Sequence, residues 1–259
     1  MLAIDQIEKY YTKDIHKFER GVLREYLQYM ILSILFSHKI GRKLSFLGGT
    51  NLRIVHKMSR FSEDLDFDNK NLTYNEFKRL SQHLKRKLEK QGFDVEIRLV
   101  EKEAFYCYIK FPDILYKAGL SSHKQEKVMV RLDTFDQKVT YERTVFILDK
   151  FEFFDQILVT PKEVILSQKL WTITQRNQLK GRDFYDIMFL LQNTAPDKTF
   201  LKSKFGTDDL NKIRCIVLKH LKDVDFDELA RDVAPFLLSQ IEVDKVKNFK
   251  FFFEQQLSK

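Results

Sequence analysis

Only two cysteines, Cys107 and Cys215, occur in the 259 residues. That excludes a disulfide framework and a thiolate zinc site, and Cys107, inside the run AFYCYIKF, reads as a small buried core residue. The six histidines are scattered, with no metal-ligand spacing between them. The apolar run YMILSILF at 29–36 falls well short of the ~20 residues that a membrane-spanning helix needs. The opening MLAIDQIEKYYTKD mixes acids and lysines before any apolar run, unlike a secretory signal. The expectation is a reduced, cytoplasmic protein with no membrane partner. Internal repeats, low-complexity tracts and long linkers are absent, and no glycine follows Gly206. No Gly-Lys-Ser/Thr ending follows the glycine pair at Gly48-Gly49, which excludes a P-loop.

What is present is apolar and basic. With 44% hydrophobic residues, 24 Phe and 10 Tyr, the chain has ample material for a core and is not disordered. Its length suits one large domain or two modest ones. A formal charge of +8 favours nucleic acid, nucleotide phosphates or an acidic protein as partner.

Apolar spacing predicts helix over 4–39, a short strand LSFLGGT, a helix over 52–58 and a strand in SEDLDFDN. Phe77, Leu80, Leu84 and Leu88 form the apolar stripe of a helix over 75–91, whose other face carries Lys78, Arg79, Lys85, Arg86, Lys87 and Lys90. That basic face reads as a solvated helix surface or as a contact for an RNA backbone. Strand-like runs follow in FDVEIRLV, AFYCYIKF, KVMVRLDTF and RTVFIL. Thr160, Pro161 and Glu163 read as N-cap, N1 and N3 of a helix through KEVILSQKLWTITQRN. Gly181 ends it, RDFYDIMFLLQ begins another, and the chain is helical and charged from Phe200. The expected fold class is α+β: N-terminal helices and a mixed sheet with flanking helices over 1–155, then a helical domain over 156–259 that completes the active site.

Asp64 and Asp66 stand two apart on the expected strand, so their carboxylates share a face. They repel unless a cation lies between them. A hard divalent ion such as Mg²⁺ answers that need, with Asp133 on another strand as a third ligand. Ion pairing with Arg60 or Arg131 at a sheet edge answers it equally well. Gly48 and Gly49 allow close backbone approach to an anion, and Thr50 offers a hydroxyl; a plain tight turn is the alternative. Lys169 reads as a cation aimed at phosphate or as a snorkelling surface lysine. Arg182 and Asp186 have the i,i+4 spacing of a helical salt bridge, and Asp183 can serve as an N-cap.

Gly48-Gly49-Thr50, a short helix and Asp64-Leu65-Asp66 together resemble the signature of the DNA polymerase β-like nucleotidyltransferase superfamily. More narrowly, Arg60, Ser62, Asp64, Leu65, Asp66 and Phe67 resemble the first motif of the AbiEii-type nucleotidyltransferase toxins. PKEVILSQKL with Lys169 resembles that family's lysine-bearing helix, and GRDFYDIMFLL with Arg182, Asp183, Tyr185 and Asp186 resembles its Arg-Asp-x-Tyr-Asp motif. The resemblance spans 46–191 and leaves the far C-terminal helices unassigned. It implies a nucleotidyltransferase fold and transfer of a nucleoside monophosphate from an NTP, with pyrophosphate released. It further implies tRNA or another RNA as acceptor and a cognate antitoxin protein as partner. Asp64, Asp66 and Asp133 would hold Mg²⁺, or Mn²⁺ in its place. Gly48, Gly49, Thr50, Arg60, Ser62, Lys169 and Arg182 would bind the nucleotide, and Asp186 would orient Lys169 or an acceptor group. A protein or small-molecule acceptor, and a nucleotide- or RNA-binding module without catalysis, are the competing readings.

Overall fold

The computed structural model describes residues 2–256. The chain forms two compact units. The first takes in the chain as far as Val55, then Phe61–Gln137 and Arg143–Val159; the second takes in His56–Arg60, Lys138–Glu142 and the chain from Thr160 onward.

The first unit is built on one seven-stranded sheet. Its strands are β1 (Leu44–Leu47), β2 (Leu65–Asn69), β3 (Glu96–Glu101), β4 (Phe105–Phe111), β5 (Val128–Phe135), β6 (Thr144–Lys150) and β7 (Phe153–Val159), in the order β3-β4-β5-β2-β1-β7-β6. The sheet is mixed: β2 pairs with β5 and β1 with β7 in parallel, and the other neighbours run antiparallel. Its helices are α1 (Ile4–Glu8), α2 (Glu19–Ser37), α3 (Gly48–Ile54), α4 (Tyr74–Lys90) and the single turn α5 (Ile114–Lys117).

Two local expectations give way in the folded chain, and two elements form that the sequence reading did not include. The long N-terminal helix is interrupted after Glu8, where Tyr10 and Tyr11 turn onto Phe151, with ring centroids 4.9 and 6.1 Å apart. Helix α3 starts at Gly48 itself, so the preceding strand ends at Leu47. Strand β7 and the turn α5 have no clear signal in the sequence: β7 opens on Phe153 and an exposed Phe154, Asp155 and Gln156 then interrupt its apolar run, and it becomes buried only towards Val159. The basic helix forms as read, with Thr73 and Glu76 exchanging capping hydrogen bonds and the stripe Phe77, Leu80, Leu84 and Leu88 buried.

The second unit is helical: α6 (Lys162–Gln175), α7 (Gly181–Leu191), α8 (Lys198–Phe205), α9 (Leu210–His220), α10 (Phe226–Val233), α11 (Gln240–Lys247) and α12 (Phe249–Gln256). The expected Thr160 cap does not form. Pro161 is the N-cap residue of α6, and the Thr160 hydroxyl pairs with that of Tyr141 at 3.0 Å. Phe184, Phe226, Phe249 and Phe253 stack through the core of this unit, and Trp171 packs on Val139, Val164 and Phe200 with its ring edge-on to Phe205 at 5.0 Å. No helix among the described residues is long and apolar enough to cross a membrane.

Helix α3 is anchored to α2 by a buried charge network. Glu25, 4% exposed, receives Arg53 Nε at 2.7 Å and Lys150 Nζ at 2.8 Å. Burial pushes the Glu25 carboxyl up, but Arg53 and Lys150 outweigh it and hold the group below its ordinary 4.5. Its stabilisation is therefore complete above that value and is lost as pH falls through the depressed one. Glu25→Gln leaves two cations without their counter-charge and is expected to lower stability by about 3 kcal/mol in urea unfolding at neutral pH. The gap between variant and parent should be flat from pH 6 to 8 and narrow only in acid, below about pH 4.

Candidate active site

In the first unit the acidic motif sits in the middle of the sheet, away from its edges. Parallel register places Asp66 of β2 directly beside Asp133 of β5, and Leu65 beside Leu132. Asp64 lies just before the first residue of β2. Leu65 and Phe67 point into the core, which leaves the intervening acids on the other face. Arg131, two residues before Asp133 on β5, shares that face: its Nη2 donates to Asp64 Oδ2 at 2.8 Å, and its Nε lies 2.8 Å from Asp133 Oδ1. The second contact is a charge contact without hydrogen-bond alignment, so Asp133 Oδ1 is covered yet takes no hydrogen bond. Burial and the charge of Asp66 push the Asp133 carboxyl up to about 7, against the pull of Arg131.

The glycine turn is packed against this cluster. Leu47 is the register partner of Asp66, and Gly48 follows at φ +81°. A Cβ on Gly48 would run into the Asp66 carboxylate and come within 2.8 Å of Asp66 Cβ. Glycine is required there both by its left-handed backbone and by the acid against it. Gly49 and Thr50 are buried in the first turn of α3. The Thr50 hydroxyl donates to the Asp64 carbonyl, which ties α3 to the acidic strand. The Ser62 carbonyl accepts from Gln28 Nε2 at 2.9 Å.

Three oxygen-only donors suit a hard divalent cation, and burial, with the charge of Asp66 added, holds Asp133 above the usual carboxylate range. Asp64 and Asp133 both contact Arg131, and among the described residues no group of three carboxylate, imidazole or thiol side chains is arranged to hold an ion. The donor chemistry fits a metal, while in this structure Arg131 is the group that contacts Asp64 and Asp133. The alternative weighed from the sequence, pairing with Arg131, is thus realised, at the centre of the sheet.

The second unit gathers a different set. Lys169 of α6 reaches α7, with Nζ 2.7 Å from Asp183 Oδ1 and 2.9 Å from Asp186 Oδ2. Arg60 grips Asp186 in bidentate fashion, Nε to Oδ1 and Nη2 to Oδ2 both at 2.7 Å, with its side chain 1% exposed. Arg176 closes on the other oxygen of Asp183. Burial opposes charge on Lys169, but Asp183 and Asp186 outweigh it and hold the amine above the ordinary lysine value. Arg60 and Lys169 likewise keep Asp186 below the usual carboxylate range despite its burial. The i,i+4 pair of Arg182 with Asp186 does not form, because Asp186 is already held from outside its helix. Asp183 is not the N-cap of α7 either; Lys180 occupies that position. Tyr185 and Ser59 both donate to Glu242 Oε1, at 2.6 and 2.8 Å.

The sequence profile of the family described as "Nucleotidyl transferase AbiEii toxin, Type IV TA system" matches residues 31–255. The chain belongs to the AbiEii nucleotidyltransferase toxin family. Solved structures that share the fold include two from one organism. One is JHP933 from Helicobacter pylori, with TM-score 0.58 and 17% identity over 93% of each chain. The other is a candidate nucleotidyltransferase from H. pylori, with TM-score 0.57 and 18% identity over 93% of this chain and 96% of that one. Among curated proteins, none matches this sequence.

As a member of a nucleotidyltransferase family, the protein is an enzyme of nucleotidyl transfer. Sequence reasoning missed Arg176 and Glu242 in its second unit. Arg176 stands at the C-cap of α6 with no motif around it, and Glu242 is 183 positions from its partner Ser59. Gly48→Ala is expected to lower the urea midpoint by an amount worth about 1–3 kcal/mol, because it combines backbone strain with a clash. Arg60→Met should lower it by an amount worth about 3–5 kcal/mol by stranding Asp186 in the interior; urea unfolding of the two variants checks both.

Proposed function

We propose that this enzyme transfers a nucleoside monophosphate from an NTP to tRNA or another RNA in the cytoplasm, as the toxin of a toxin–antitoxin pair with a cognate antitoxin protein as partner. The observation that carries the reading is the placement of Asp66 beside Asp133, with Gly48 packed on Asp66, in a chain of this family. Asp64 and Asp66 are assigned to Mg²⁺, or Mn²⁺ in its place, with Asp133 as the third carboxylate. Such an ion neutralises charge on the triphosphate as the α-phosphorus is attacked. The backbone of Gly48 and Gly49, next to Asp66, is assigned to the phosphates that accompany the ion. Thr50 holds the turn in place through Asp64.

Lys169 is assigned to nucleotide phosphate. It is kept protonated by Asp183 and Asp186, so it acts as a fixed positive charge and not as a base. Asp186 positions it, and buried Arg60 in turn fixes Asp186. Arg182, half-exposed on α7, is assigned to phosphate contact as well. The formal charge of +8 supports a polyanionic acceptor.

Incubation with total tRNA, Mg²⁺ and each α-labelled NTP in turn is expected to move label onto RNA. Asp66→Asn and Lys169→Met should each reduce labelling by about 10²-fold or more. Full labelling by either variant would sink its assigned role. Label that resists RNase would move the acceptor to protein or a small molecule, and NTP binding without pyrophosphate release would leave only a binding module.

A further inference from the structure

Arg131 presents a conflict within the first unit. It contacts Asp64 and Asp133, feels the charge of Asp66 as well, and lies among the carboxylates assigned above to a divalent ion. The guanidinium bridges Asp64 and Asp133 at 2.8 Å each, and its side chain is still 33% exposed. It is therefore attached at one side to the carboxylates and open at the other. Its fit is incomplete, because Asp133 Oδ1 gains its charge but no aligned hydrogen bond. A guanidinium donates within one plane, whereas three carboxylates on two adjoining strands and the residue before one of them ask for a donor without directional preference. All three acids act on Arg131 and hold its charge firmly in spite of partial burial.

We infer that Arg131 is an exchangeable counter-ion. It occupies the carboxylate cluster when no divalent ion is present and is displaced from it when one binds, so metal affinity reflects a competition inside the chain. This rests on the assignment of the three carboxylates to a metal in the proposed function. Arg131 is thus a positioning residue: it keeps β2 and β5 in register in the metal-free enzyme, and it prevents tight capture of an ion without substrate. The triphosphate that arrives with the ion offers the released fork a planar, bidentate partner.

The test uses the full chain without NTP. Mn²⁺ affinity is measured by electron paramagnetic resonance, and the Arg131 side-chain Nε–H signal, assigned by its loss in Arg131→Met, is followed by NMR during Mg²⁺ addition. Arg131→Met is expected to bind Mn²⁺ about tenfold more tightly or better than the parent and to melt at a lower temperature in EDTA, with Mn²⁺ closing that gap. Arg131→Lys keeps the charge but loses the fork and should fall between the two. In the parent, the Nε–H signal should shift or broaden in step with Mg²⁺ occupancy. Mg²⁺ binding with that signal unmoved, or equal Mn²⁺ affinity in parent and Arg131→Met, overturns the exchange while leaving the metal assignment standing. No binding of either ion by the parent or Arg131→Met overturns the metal assignment and the exchange together.

Discussion

Acids of like charge, brought together away from bulk water, need a cation among them, and this constraint organises both units. In the sheet, Asp64, Asp66 and Asp133 are balanced by Arg131. Between α2, α3 and β6 the signs are reversed, and the single acid Glu25 balances two cations, Arg53 and Lys150. In the helical unit, Asp183 and Asp186 are balanced by Lys169, Arg60 and Arg176. The three sets differ in how closed they are. The set around Glu25 is deep and doubly paired, which suits scaffolding; the set around Asp186 is equally deep, and its bidentate Arg60 fixes the acid that positions Lys169. The set around Asp133 is shallower and imperfectly aligned, which suits exchange with something from solution.

Helix α3 shows how the scaffold serves the chemistry. It is only seven residues long and would not hold its shape alone. It is fixed at its start by Gly48 against Asp66, in its first turn by Thr50 on the Asp64 carbonyl, and at its end by Arg53 on Glu25. The Gly-Gly-Thr sequence is therefore a device for laying a helix start flat against a carboxylate. Any side chain at Gly48 would lift the turn off the acid.

Much of this was legible in the sequence because it depends on short-range periodicity. The spacing of Asp64 and Asp66 with Leu65 and Phe67 fixes which way the acids face, and strand alternation also puts Arg131 and Asp133 on one side of β5. The stripe of α4 and its Thr73–Glu76 cap were equally local, although the cap was not read in advance. What escaped was decided at long range. Thr160 had the composition of a cap, but Tyr141 claimed its hydroxyl. Asp186 had the spacing to pair with Arg182, but Arg60, 126 positions away in sequence, took both of its oxygens. Glu242 lies on a helix without any motif, and only folding brings it to Tyr185 and Ser59. Local pattern specifies an element and its faces; competition among partners for a polar atom is settled by the tertiary structure.

The chain has a single tryptophan, Trp171, and it packs on the core of the helical unit. The sheet-bearing unit contains none, although it is rich in tyrosine and phenylalanine. Intrinsic emission excited at the red edge of the indole band is thus a signal from one unit alone, while the circular dichroism of strands belongs to the other. A single sample therefore carries two spectroscopically independent clocks, and the order in which the units lose structure can be read without adding a label.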